Sequence, residues 1–265
     1  MKDKLFSVDG KVTLVSGASR GIGFELAKGF AQRGAKVIIT GRKGDTLKEA
    51  ADKITGETGA RADTYVCDVA NVENIRETVA AIKEKYGRID ILLNVAGLTI
   101  RKPAEDYTPE EFDYVTNVDI RGAFFMAQEV GKVMIAQKSG SQVHVESYNT
   151  FAPLTRVMPY VISKFGMHGM IKALASEWGE YGIRVNGIGP GFILTDFNRS
   201  LWSQPVMKDW AMEHTPLRRF GEVEDMIGTV VFLASEASSF ITGQTVYIDG
   251  GLSACTPWPI DRAST

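Results

Sequence analysis

What most limits the architecture of this 265-residue chain is its rhythm: short apolar, β-rich runs alternate with segments of helical length from one end to the other. The runs are KVTLVS (11–16), AKVIIT (35–40), TYVCDV (64–69), IDILLNV (89–95), SQVHVES (141–147), IRVNGIG (183–189) and QTVYID (244–249). Helix-like stretches lie near 22–33, 43–56, 71–86, 108–136, 159–180 and 222–234. A strand that is apolar throughout must be covered on both faces, and helices between successive strands supply that cover while making the strands parallel. The chain reads as α/β, a single domain over 1–265 with a doubly wound, parallel, seven-stranded sheet flanked by helices. No Pro/Ser-rich linker or low-complexity tract divides it. Residues 192–215, FILTDFNRSLWSQPVMKDWAMEHT, break the rhythm, with two tryptophans and weak periodicity where a crossover belongs. A long segment of that kind in a compact domain reads as a substrate lid.

Charge and cysteine usage narrow the partners. The formal net charge is −2, and no Lys/Arg cluster tracks a phosphate backbone, so nucleic acid is not an expected partner. Two cysteines, Cys67 and Cys255, are too few for a disulfide framework, and no charged-then-apolar leader precedes the first run, so the expected location is cytoplasmic. No apolar run reaches the roughly 18 residues of a membrane span. His144, His168 and His214 have no ligand spacing, and no metal is expected.

Two short motifs carry chemistry. SGASRGIG (16–23) follows the first strand and opens the first helix. Its glycines let the backbone approach a ligand closely, and the helix N-terminus offers unpaired N–H groups to a phosphate. YVISK (160–164) sets Tyr160 and Lys164 at i and i+4, on one helix face. A neighbouring positive charge favours the ionised form of a phenol, which suits such a tyrosine to proton transfer.

In this order and spacing, the motifs resemble the short-chain dehydrogenase/reductase family. SGASRGIG resembles its TGxxxGxG turn, with Ser16 for Thr; CDV (67–69) resembles its adenine-side segment; and NVAG (94–97) resembles NNAG, with Val95 for the second Asn. TN (116–117) resembles the helix asparagine, Ser147 lies 13 residues before Tyr160, YVISK fits YxxxK, PGFILT (190–195) resembles PGxxxT, and ITGQTVYIDGG (241–251) resembles the closing strand. The match runs from residue 6 to 252. It implies a Rossmann-type fold and a nicotinamide cofactor held by Gly17, Ser19, Arg20, Gly21, Ile22 and Gly23 in the first turn. Arg42, Asp68 and Val69 would follow on the adenosine side, then Asn94, Ala96 and Gly97, and finally Tyr160, Lys164, Pro190, Gly191, Ile193 and Thr195 on the nicotinamide side.

The end of the second strand separates the two nicotinamide cofactors. An acid there suits the ribose hydroxyls of NAD, whereas a 2′-phosphate needs positive charge. The chain reads IITGRK, with Gly41 at the expected acidic position and Arg42 next. Arg42 and Arg20 could clamp the phosphate, so NADP(H) is expected over NAD(H).

The resemblance also implies roles. Tyr160 is the general acid or base of an alcohol/carbonyl interconversion; Lys164 holds the nicotinamide ribose; Ser147 binds the reacting oxygen; and Asn117 anchors a water leading from Lys164 to solvent. Glu146 stands where the family usually has a small residue, and no catalytic role follows for it. Within the family the chain resembles the gluconate 5-dehydrogenase-like enzymes of sugar acids and polyols, which predicts a small-molecule substrate of carbohydrate metabolism. Arg101 matches the second Arg of a pair those enzymes carry, whereas Ile100 replaces the first, and Phe151 and Leu154 replace a Glu and an Arg after the serine. Arg156 stands two positions beyond as a replacement, and Tyr148, Asn149, Phe192, Trp202 and Trp210 would complete a mixed aromatic and polar wall. Packing of the tryptophans against the body is the alternative. Other readings are a 3-oxoacyl-carrier-protein reductase docking on Arg101, Lys102, Arg121 and Lys132, a sugar 1-dehydrogenase, a broad ketone reductase, or an NADP(H)-binding regulator without turnover. The family also implies a homotetramer built on 108–136 and 159–180, with a non-helical tail over 252–265.

Overall fold

The structure, a computed structural model, describes residues 4–195, 198–254 and 256–257. Seven strands form one sheet: β1 (Val12–Ser16), β2 (Lys36–Gly41), β3 (Asp63–Val66), β4 (Ile91–Asn94), β5 (Gly140–Val145), β6 (Ile183–Pro190) and β7 (Thr245–Ile248). Their order is β3-β2-β1-β4-β5-β6-β7 and every pair is parallel, so the Rossmann-type expectation holds. The order reverses between β2-β1 and β1-β4, and such a switch point opens a crevice at the strands' C-terminal ends.

Strand alternation sorts the apolar residues onto two cores. Val15, Ile39, Leu93 and Val143 face one side with α1 (Gly21–Ala31), α2 (Gly44–Thr58) and α9 (Glu224–Ala234). Their neighbours Leu14, Ile38 and Leu92 face the other side with α3 (Val72–Tyr86), α5 (Ala123–Gln137) and α6 (Met158–Trp178). A fully buried Leu or Ile is worth about 1.5–3 kcal/mol relative to exposure, so each face must keep its helices. Helix ends are set locally. Asn71 caps α3 by accepting from the Glu73 and Asn74 N–H groups, and Gly59 and Gly87 end α2 and α3 in the left-handed region.

The expected helix 108–136 is instead three pieces. α4 (Pro109–Thr116) opens with a capping box from Thr108 and Glu111, a π-helical stretch follows at Asn117–Gly122, and α5 completes the span. A π turn inserts one extra residue and rotates the side chains that follow, which apolar periodicity does not reveal. The expected strand 141–147 also ends earlier, at Val145, leaving Ser147 at the start of a single 3-10 turn, Tyr148–Thr150.

The irregular segment after β6 carries two short helices, α7 (Arg199–Trp202) and α8 (Pro205–His214). Phe192, Trp202 and Ala211 are buried there with Leu252, and Trp210 and Phe220 pack around them. Most of the tail over 252–265 lies outside the described residues, as does Cys255. Among the described residues no helix is long and apolar enough to cross a membrane.

Candidate active site

The crevice begins where β1 turns into α1. Gly17 and Gly21 sit at φ +77° and +59°, a region that L side chains avoid. A methyl on Gly17 would lie 2.6 Å from the Ala96 Cα, and one on Gly23 would lie 2.3 Å from the Gly17 carbonyl oxygen. Backbone therefore lies on backbone here, with the first turn pressed onto the loop after β4. Arg20, the N-cap of α1, gives no side-chain cap, and the first turn holds no acid. That leaves amide donors at a helix N-terminus beside Ser19 and Ile22, which fits a pyrophosphate.

The other expected cofactor residues ring the same edge. Gly41 ends β2, and a methyl there would meet the tip of the Leu47 side chain at 3.3 Å. Arg42 is exposed next to it, and its Nη1 donates to the Tyr114 hydroxyl on α4 at 3.4 Å. Asp68 accepts from the Ala70 N–H while its own N–H donates to Asn74 Oδ1, which fixes the turn that carries the buried Val69. Asn94 is buried and donates to the Ala123 carbonyl at 2.9 Å, tying the Ala96–Gly97 loop to α5. Beyond Pro190, Gly191 lies against Asp249, where a methyl would come within 2.7 Å of the Cα. Asn198, not singled out from the sequence, donates to the Ile193 carbonyl and accepts from the Thr195 N–H, fixing the 193–195 backbone. A short amide bracing its neighbours through a turn has no periodicity by which to be found.

Tyr160 and Lys164 meet on α6 as their spacing requires. The Lys164 Nζ lies 5.4 Å from the centre of the Tyr160 ring. Lys164 is only 3% exposed, and its ammonium donates to the Val145 carbonyl at 2.7 Å, which fixes it beneath the end of β5. Ser147 follows two residues later. Its Oγ accepts from both the N–H and the Nδ2 of Asn149, at 3.2 and 3.0 Å, while Asn149 Oδ1 accepts from the Leu154 N–H. With its lone pairs occupied, the serine hydroxyl is left to donate, the polarity needed to hold a carbonyl or alkoxide oxygen. Asn149, expected as a wall residue, thus has its amide turned to Ser147.

Asn117 opens the π stretch, and among the described residues its side chain makes no hydrogen bond. The side chain that reaches toward Lys164 is that of Asp119, two residues on and fully buried. Its Oδ1 accepts from the Leu98 N–H at 2.8 Å, and its Oδ2 has no partner. Burial pushes its carboxyl up to about 6, against the opposing pull of the Lys164 charge and the Leu98 hydrogen bond. His144, fully buried one strand away, is held down to about 3 by burial and by the Lys164 charge, so it stays neutral.

The expected substrate residues divide. Tyr148 is half-buried, 6.3 Å from Phe192 and 6.1 Å from Phe151 between ring centres. Phe192 and Trp202 pack on each other at 4.7 Å, and Trp202 packs on Phe220 at 5.4 Å, so both are buried in the packing of the segment after β6. Arg101 and Arg156 are exposed, Arg156 at φ +67°, and the Arg156 carbonyl accepts from the Lys102 N–H.

The chain has relatives along nearly its whole length. A family model described as enoyl-(acyl carrier protein) reductase matches residues 17–253. Gluconate 5-dehydrogenase of Gluconobacter oxydans is 37% identical over 94% of this chain and 97% of its own length. The 3-oxoacyl-acyl-carrier-protein reductase of Thermotoga maritima is 39% identical over 92% of this chain and 98% of its own. The solved structure of a gluconate 5-dehydrogenase from Burkholderia cenocepacia, in complex with NADP and tartrate, superposes with a TM-score of 0.92 at 34% identity, covering 96% of this chain and 99% of that one.

Proposed function

As the chain belongs to the short-chain dehydrogenase/reductase family, we propose that it interconverts a secondary alcohol and a carbonyl on a sugar acid, sugar or polyol with NADP(H) as its cofactor. The observation that carries this reading is the buried Lys164 fixed at 2.7 Å from the Val145 carbonyl with its ammonium against the Tyr160 ring. When bound, the nicotinamide supplies or takes up the hydride. Tyr160 gives its phenolic proton to the carbonyl oxygen in reduction and takes the alcohol proton in oxidation. Ser147 donates to the same oxygen and holds it in place. Lys164 keeps a positive charge beside the phenol, which favours loss of its proton at the moment of transfer.

Half-buried Tyr148, beside Ser147, presents a ring face suited to the C–H side of a sugar. A carrier-protein substrate has weaker support. Of its expected docking residues, Lys102 pairs with Glu111, Lys132 with Glu129, and Arg121 lies over Phe125 while donating to the Ala70 carbonyl. The test is initial rates followed by nicotinamide absorbance, with gluconate, other sugar acids, sugars and polyols against NADP and NAD, and with NADPH against the matching ketones and a 3-oxoacyl thioester. Turnover within the sugar-acid and polyol panel is the expected result. A silent panel beside an active thioester would overturn the substrate reading.

Arg42 supports the cofactor reading, since Gly41 leaves no acid beside it and Tyr114 steadies its guanidinium. Arg42→Ala should raise KM for NADP by roughly tenfold or more, the worth of one charge-assisted phosphate contact. KM for NAD should change little. Equal changes for both cofactors would show that Arg42 does not read the 2′-phosphate. Exposed Ile162 and Phe165 give α6 an apolar outer face, which supports a homotetramer assembled through α5 and α6.

A further inference from the structure

We propose that Asp119 is a positioning residue of the active site, a buried titratable carboxyl that acts through Lys164 to set the charge beside Tyr160. The idea rests on the roles given above to Tyr160 and Lys164. A carboxyl with no solvent exposure and one unpartnered oxygen is costly to keep in a protein interior, and a purely structural need would be met by an amide. Its surroundings indicate what it does. The π turn carries it inward, and Oδ1 holds the Leu98 N–H, so it anchors the loop that follows β4. Gly97 occupies the gap: a methyl there would lie 3.5 and 3.6 Å from the two carboxyl oxygens and 3.6 Å from the Lys164 Nζ. Carboxyl and ammonium thus flank the same small space without forming a direct ion pair.

The charges around Asp119 are few. From α6 comes Lys164, the charge that acts on Asp119, and His144 of β5, which feels the same Lys164 charge, is neutral. The loop after β4 brings only backbone. Arg121, on the same π stretch, is exposed and donates to the Ala70 carbonyl, and Glu129 of α5 is held by Lys132 and Arg76. Asp113 of α4 is exposed. Lys164 is therefore the charge that Asp119 answers. Ionised, Asp119 offsets the Lys164 charge and favours retention of the Tyr160 proton. Protonated, it leaves that charge unopposed and favours the phenolate.

Asp119→Asn separates anchoring from charge, because the amide oxygen can still accept from Leu98 while the negative charge is gone. In the oxidation direction, the pH limb of kcat/KM in D119N should move to lower pH by about half a unit or more, and any inflection near pH 6 in the wild type should vanish. A limb that stays in place overturns the proposal. Thermal unfolding gives a reading that needs no substrate. A carboxyl raised in the folded state to about 6 binds its proton there before the unfolded chain does, so its contribution to stability is present at low pH and is lost as pH rises through 6. D119N should match the wild type near pH 4 and become the more stable of the two as pH rises through 6. A gap independent of pH overturns the idea of a titrating carboxyl. If D119N does not fold, the wild type alone must show the inflection near pH 6 with its best substrate, and a flat profile from pH 5 to 8 sinks the proposal. Failure of the whole substrate panel would overturn the reading of the reaction and leave the unfolding curves as an independent test of Asp119.

Discussion

Tyr160→Phe is expected to lower kcat by roughly 10²–10⁴-fold in both directions, the range general acid–base catalysis supplies, with no loss of folded protein. The phenylalanine ring keeps the packing of α6 and the face that Lys164 Nζ approaches at 5.4 Å, so removal of the hydroxyl oxygen is the whole change. Ser147 keeps both donations from Asn149 and can still orient the substrate oxygen, but it has no means of shuttling its proton. Binding of NADP to Y160F, read by quenching of protein fluorescence, should stay within a few-fold of the wild type, as should the unfolding temperature. The measurement is single-turnover hydride transfer with the best substrate from the panel. A rate within tenfold of the wild type would move the proton-transfer role elsewhere and remove the main support for the enzyme reading.

The sequence made the skeleton of this site legible because each of its parts rests on short-range rules. Gly17, Gly21 and Gly23 are dictated by a turn too tight for a side chain, and Tyr160 with Lys164 by the 3.6-residue period of one helix. Parallel pairing followed from strands apolar on both faces, as Leu14 and Val15 illustrate by facing opposite cores. Groups whose placement depends on long-range packing were not legible. Asp119 lies in a stretch of helical periodicity, and only the π turn carries it inside, whereas Asn117 had the more suggestive residue type. Trp202 reads equally well from sequence as pocket wall or as packing, and its burial with a 4.7 Å contact to Phe192 favours packing. Asn149 carried the right chemistry in an unforeseen role, because its contacts with Ser147 and Leu154 depend on the chain folding back over a single 3-10 turn.

Glu146→Ala should cost roughly 3 kcal/mol of stability, a loss of roughly 6–12 °C in unfolding temperature for a chain of this size. Glu146 is the residue for which the sequence offered no role, an acid at the end of a buried strand. In the structure its side chain is 0% exposed. Oε1 accepts from the Thr245 hydroxyl at 2.7 Å, and Oε2 accepts from the Thr150 hydroxyl and faces His168 Nδ1, both at 3.1 Å. The Thr150 hydroxyl also meets the Tyr247 hydroxyl at 2.9 Å. The carboxylate thereby joins β5, the turn bearing Ser147, β7 and α6, and Gly187 on β6 makes room for it, since a methyl there would lie 2.7 Å from Oε1. Alanine removes a fully buried carboxylate together with its contacts to the half-buried Thr245, Thr150 and His168, and leaves a space that closes only partly, the kind of loss that breaking a buried polar network costs. Glu146→Gln keeps one acceptor oxygen for Thr245 and should lose less than half as much. The two variants, compared by urea unfolding at neutral pH, separate satisfaction of the network from its charge: equal losses would mean that the negative charge itself, paired with His168, holds the end of β5 in place, whereas a mild Gln variant beside a damaged Ala variant is the result the hydrogen-bond geometry predicts.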